Sequence, residues 1–132
     1  MHQNRKLEKT AADFILCFQS GDFDKMASLM NKDAKSYITN ASGDVNLFDG
    51  KAAFIQNLIE LNVKSIQPKV QIDQILSTAQ NQVMIMFEGN MVKGNQKFHN
   101  IATYLIDFKN DLIEKIQMVE ANPAKSDEFW KT

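Results

Sequence analysis

The stretch FQSGDFDKMASLMNKDAKSYI, Phe18 to Ile38, carries two helical patterns separated by a Gly21-Asp22 break and then turns into a strand. Upstream of the break, Leu7, Ala11, Phe14, Ile15 and Phe18 recur at helical spacing. That spacing predicts an amphipathic helix over residues 5–20, with Asn4 as its N-cap and Gly21 as its stop. Asp22 is placed to cap a shorter second helix, in which Phe23, Met26, Ala27 and Met30 repeat at i, i+3, i+4 and i+7. This helix is expected to end near Asn31-Lys32-Asp33 and to lead into a strand over AKSYITN, residues 34–40.

Downstream, ASGDVNLFDG (41–50) has loop composition, and after Gly50 the residues Phe54, Ile55, Leu58, Ile59 and Asn62 mark a third helix. Beyond Pro68 the pattern becomes that of strands: KVQIDQIL (69–76), QVMIMFEGNMV (82–92), FHNIATYLIDF (98–108) and LIEKIQMVEA (112–121). Asn110 and Asp111 form a two-residue turn between the last two, because both residue types tolerate positive φ; VKGNQ (92–96) supplies the turn before it. Helices that precede a run of strands predict an α+β fold with the helices on one face of an antiparallel sheet. A sheet covered on one face should read half polar, yet the two longest strands are apolar on both. Met84, Met86, Ile101 and Leu105 form the outward set, with no helix left to cover them. A homodimer through the outer sheet face is the expected consequence.

Bulk properties narrow the function. The 132 residues, 44% hydrophobic, make one domain over 1–132 that buries roughly two-thirds of its unfolded surface. Fifteen basic and sixteen acidic residues are dispersed to a net charge of −1, so neither nucleic acid nor a membrane surface is an expected partner. The single cysteine, Cys17, lies in the apolar run FILCF and reads as a packed thiol. The N-terminus is polar and no apolar run is long enough for a signal peptide or a membrane span, which predicts a soluble, cytoplasmic protein. The acids of SGDVNLFDG lack the spacing of a calcium loop, and neither a metal nor a cofactor is expected.

SGDFDKM, NKDAKSYI, FDGKAAFI and TYLIDFKNDLIEKIQ, with the order of elements, resemble the nuclear transport factor 2-like superfamily over roughly Lys6 to Asn122. Within it, the ketosteroid isomerase and SnoaL-like branch is the most similar. The resemblance implies a cone: a curved antiparallel sheet wrapped around a long N-terminal helix, a cystatin-like roll, with a pocket for a small apolar molecule at its open end. It also implies where an isomerase would carry its tyrosine, its general base and its protonated acid. Those positions fall on Phe14, Ile38 and Tyr104. Isoleucine cannot move a proton, so the isomerase mechanism is not expected here.

Strand alternation extends this frame to an inward set. It comprises Tyr104, Ala102, Asn100 and Phe98 on one strand, Phe87 and Gly89 on its neighbour, Ile116, Met118 and Glu120 on the last, and Ser36, Ile38 and Asn40 on the first. Phe14, Phe18, Ile38, Asn40, Phe87, Asn100 and Met118 are the expected ligand-binding residues. Glu120 and Tyr104 are the catalytic candidates. Burial among apolar side chains would raise the Glu120 pKa toward that of a useful acid or base, while Asn100 and Tyr104, four apart on one face, could together hydrogen-bond a carbonyl. His99 points outward, and the sequence places no carboxylate to orient it.

Two function classes follow. One is a small-molecule pocket protein that binds or transforms an apolar metabolite bearing a carbonyl or hydroxyl; any reaction would be acid–base chemistry of an isomerase, cyclase or lyase type. The other is a non-catalytic homodimeric interaction module whose cone is filled by its own side chains. An open cavity separates them.

Overall fold

The computed structural model describes residues 4–131. In chain order it contains α1 (Arg5–Ser20), α2 (Phe23–Ser28), β1 (Met30–Thr39), β2 (Val45–Asp49), α3 (Lys51–Glu60), α4 (Val63–Ile66), β3 (Lys69–Ala79), β4 (Gln82–Lys93), β5 (Gln96–Lys109), β6 (Leu112–Glu120) and α5 (Pro123–Lys131). The six strands form one curved, unclosed sheet in the order β2-β1-β6-β5-β4-β3, against which α1 packs. The α+β roll around an N-terminal helix is therefore present. One pairing departs from an all-antiparallel sheet: β1 and β6 run parallel, with Ser36 beside Ile116 and Ile38 beside Met118. The long connection between them, through α3 and the meander, is what allows a parallel pair.

α1 ends where the sequence places its stop. Gly21 adopts φ 72° and donates its N–H to Cys17 O at 2.8 Å. Asn4 occupies the N-cap position but makes no capping bond; its Nδ2 donates instead to Ala79 O at 2.7 Å, tying the start of α1 to the end of β3. α2 stops at Ser28, earlier than expected, and β1 begins at Met30. Met30 continues the helical spacing, but it is 1% exposed and lies in register with Ile113 of β6. Burial against the sheet outweighs the weak helical preference of a six-residue segment.

Residues 45–49, expected as loop, form the edge strand β2. Asn40 builds the turn before it: its Oδ1 accepts from Ser42 N at 3.0 Å and Asp44 N at 3.2 Å, and its Nδ2 donates to Asn46 Oδ1 at 3.1 Å. The Asn110-Asp111 hairpin is as expected, with φ 54° and 66°. The remaining differences are α4, a separate helical turn after Asn62, whose φ of 58° breaks the third helix expected to reach that residue, and α5, where the sequence pattern ended in β6. Asn122 caps it, its Oδ1 accepting from Lys125 N at 3.0 Å, and Pro123 sits at the first helical position.

The core lies on the concave face. Phe14 stacks on Phe54 of α3 at 5.8 Å between ring centroids and lies 6.3 Å from Tyr104, whose ring meets Phe87 edge-on at 5.2 Å. α5 packs on this same side, with Phe129 5.4 Å from Phe98. The convex face keeps no helical cover among the described residues. Leu76, Met86, Ile101 and Val119 are exposed there, while Met84 and Leu105 are half-buried. Cys17 is a buried free thiol whose pKa burial pushes up.

Candidate functional site

Between α1, α3, the concave sheet and α5 lies a cavity of about 180 Å³. All nine residues singled out from the sequence stand on its wall. α1 contributes Phe14 and Phe18; Ile38 and Asn40 come from β1 and its turn; Phe87, Asn100, Tyr104, Met118 and Glu120 come from β4, β5 and β6. Strand alternation brings them together, because residues two apart on β5 and β6 share the concave face. Gly89 lies in register with Asn100 and widens the wall by lacking a side chain.

Other wall residues come from elements that the sequence reading lacked. Asn46 and Phe48 belong to β2, and Pro123, Ser126, Asp127 and Trp130 belong to α5. The signal for α5 was present in Asn122-Pro123, an N-cap residue followed by proline at the first helical position. Ser36, expected on the inner face, is 0% exposed with an unpartnered Oγ, packed in the core rather than on the cavity wall.

Glu120 is the centre of the polar end. Its Oε2 accepts from Asn100 Nδ2 at 2.9 Å and from Ser126 Oγ at 2.7 Å. Burial raises its pKa above the usual carboxyl range; the bonds from Ser126 and Asn100 work against that rise, and the nearby Asp127 charge adds to it. Tyr104 is fully buried, and burial with the Glu120 charge pushes its pKa up, so it stays a neutral phenol. Asn100 is 9% exposed and its Oδ1 has no partner. The amide is thus oriented with one of its two N–H groups on Glu120 and its oxygen left over. Asn40, by contrast, has its side-chain amide engaged in the β1–β2 turn.

Among the contacts that hold α5 over the cavity are Ser126 to Glu120, the Phe129–Phe98 ring pair, and Lys93 Nζ, which donates to Phe129 O at 2.7 Å and lies 5.4 Å from the Phe129 ring centroid. On the convex face, His99 Nε2 is 2.7 Å from Glu88 Oε1. A carboxylate does orient it, contrary to expectation, from a diagonal position on the neighbouring strand. Among the described residues, no three His, Cys, Asp or Glu side chains are grouped to hold a metal, and no helix is long and apolar enough to cross a membrane.

Comparison with known proteins adds the fold's relatives. Bal32a, from a soil-derived mobile gene cassette, superposes with a TM-score of 0.84 at 16% identity, over 98% of this chain and 99% of its own. A protein assigned as a SnoaL-like polyketide cyclase from Shewanella putrefaciens gives 0.73 at 11% identity, over 96% and 87%. A nuclear transport factor 2-like protein from Cytophaga hutchinsonii gives 0.63 at 19%, over 86% and 97%. No family model and no curated protein matches the chain. The fold is that of the nuclear transport factor 2-like and SnoaL-like proteins.

Proposed function

We propose that the protein binds, and acts on, a small molecule with an apolar body and one polar end, held in the concave cavity. The observation that carries this is the cavity itself, open at about 180 Å³ and walled by aromatic and aliphatic side chains, with polar groups converging at one end. A cone filled by its own side chains would leave no such space, so the cavity favours the pocket over the interaction module. The Asn100 oxygen without a donor suits a hydroxyl or other hydrogen-bond donor, while the neutral Tyr104 phenol can donate to a carbonyl or accept from a hydroxyl.

Glu120 is the wall's proton-transfer group, since its raised pKa brings both protonation states nearer to neutral pH. Tyr104 would position the substrate. Native mass spectrometry and ligand-observed NMR on protein from its own host test the proposal. A small molecule should co-purify or bind, and Asn100→Leu and Tyr104→Phe should weaken it. Failure to find any ligand, with unchanged spectra in both variants, would sink the pocket.

The convex face supports a second proposal, a homodimer. Leu76, Met84 and Leu105 are aligned across β3, β4 and β5, beside exposed Met86 and Val119, and together make a contiguous apolar surface. Sedimentation at micromolar concentration should give a dimer that Met86→Lys dissociates. A monomeric wild type would remove this proposal and leave the pocket untouched.

A further inference from the structure

Resting on the pocket reading above, we infer that the polar end of the ligand is a cationic nitrogen: the site takes a small protonated amine on an apolar body. Three features of the wall point there together. Its charged residues are all acidic. Glu120 and Asp127 line the cavity, and among the described residues no Lys, Arg or His does. Asp127 is already matched by Lys131 at 2.9 Å, whereas Glu120 is bonded only to neutral groups, the Asn100 amide and the Ser126 hydroxyl. A carboxylate buried without a countercharge is costly, and a cationic ligand supplies the missing charge.

The rest of the wall agrees. Seven aromatic residues stand on it, among them Phe18, Phe87, Tyr104 and Trp130, and aromatic faces attract cations electrostatically. The buried polar atom left without a partner on the wall is an acceptor, Asn100 Oδ1, and the Tyr104 hydroxyl, which can accept as well as donate, stands on the same wall. An ammonium has donors and no acceptor, so it complements the Glu120 carboxylate and the Asn100 oxygen, whereas an anionic ligand would meet the Glu120 charge with no cation on the described part of the wall to offset it. A cavity of about 150 Å³ holds benzene, so about 180 Å³ accommodates a monocyclic amine.

The test compares three probes of one shape, benzylamine, benzyl alcohol and benzoate, by ligand-observed NMR and calorimetry on the full chain. At pH 7.5 benzylamine should bind roughly tenfold more tightly than benzyl alcohol, and benzoate most weakly. Glu120→Gln keeps an acceptor for Asn100 and Ser126, so it should erase the advantage of benzylamine over benzyl alcohol. On the wild type, amine affinity should fall as pH drops through the Glu120 pKa, because only the carboxylate pairs with the cation. Among the described residues, Asp127 and Tyr104 are the ionisable groups that accompany Glu120 on the wall. An Asp127→Asn variant that keeps the same pH profile assigns the titration to Glu120, and this series decides the matter even if Glu120→Gln misfolds. Benzyl alcohol binding as tightly as benzylamine, or a flat pH profile, overturns the cationic assignment and leaves the pocket standing. If none of the three probes nor benzene binds, the pocket reading itself falls.

Discussion

Replacing Asn100 with leucine sets two opposing effects of similar size against each other. The wild-type side chain donates to Glu120 at 2.9 Å, a hydrogen bond to a charged group worth about 1.5–3 kcal/mol. The same side chain buries an oxygen without a partner, a penalty of about 1–3 kcal/mol. Asn100→Leu removes both and adds apolar surface to the wall, so the net change should lie within about 1.5 kcal/mol, a few degrees in Tm. Glu120 does not share in this cancellation. The Asn100 bond opposes the burial that raises its pKa, so its loss must move the pKa further up. Thermal unfolding, together with a carboxyl-carbon NMR titration of Glu120, measures both. A collapse in Tm with the Glu120 titration unmoved would refute the reasoning, since the amide would then be structural and uncoupled from the carboxylate.

Three other outcomes follow from the same geometry. Gly89→Leu projects a side chain from the concave face opposite Asn100, where an added Cβ meets nothing closer than Met91 Cε at 3.7 Å; it should cut binding of a benzene-sized probe at least tenfold while circular dichroism stays native. Glu120→Gln should change the pH dependence of stability. A carboxyl whose folded pKa is raised favours the folded state below its unfolded pKa and loses that contribution as pH rises through the folded pKa. The variant should therefore gain on the wild type between pH 4 and pH 8 in urea melts, and an unchanged difference would contradict the burial of this group. A 5-ene-3-ketosteroid should not be isomerised, because Ile38 and Tyr104 stand where the two acids would be and a positioned general base is worth about 100- to 10,000-fold; turnover near an isomerase rate would show the site to be misread.

Much of the fold was legible because apolar spacing is strong wherever one face is buried. α1, β4, β5 and β6 follow their periodicities closely, and the same alternation brought Phe87, Asn100, Tyr104, Met118 and Glu120 onto one wall. The misses share a cause. Met30 fits a helical repeat, but its burial depends on Ile113, eighty-three positions away along the chain and invisible to a local pattern. Val45 to Asp49 pair only along one edge and bury little, so their composition resembles a loop. α5 hides its apolar residues in Phe129 and Trp130, too few for a periodic signal, and only its Asn-Pro start announced it. Without α5, neither Ser126 nor the orientation of the Asn100 amide could be foreseen. Strand alternation put Asn100 and Tyr104 on one face, but it could not show that one N–H of the Asn100 amide is engaged by Glu120.

The central claim is that the cone is open to an apolar guest, and a crystal structure under xenon pressure tests it without knowledge of the ligand. Xenon occupies dry, apolar cavities of this size. One xenon site should appear among Phe14, Phe87, Tyr104 and Met118, within the volume of about 180 Å³, and Gly89→Leu should abolish it. A cavity closed by Phe14, Met118 or Trp130, with no xenon bound, would contradict the account.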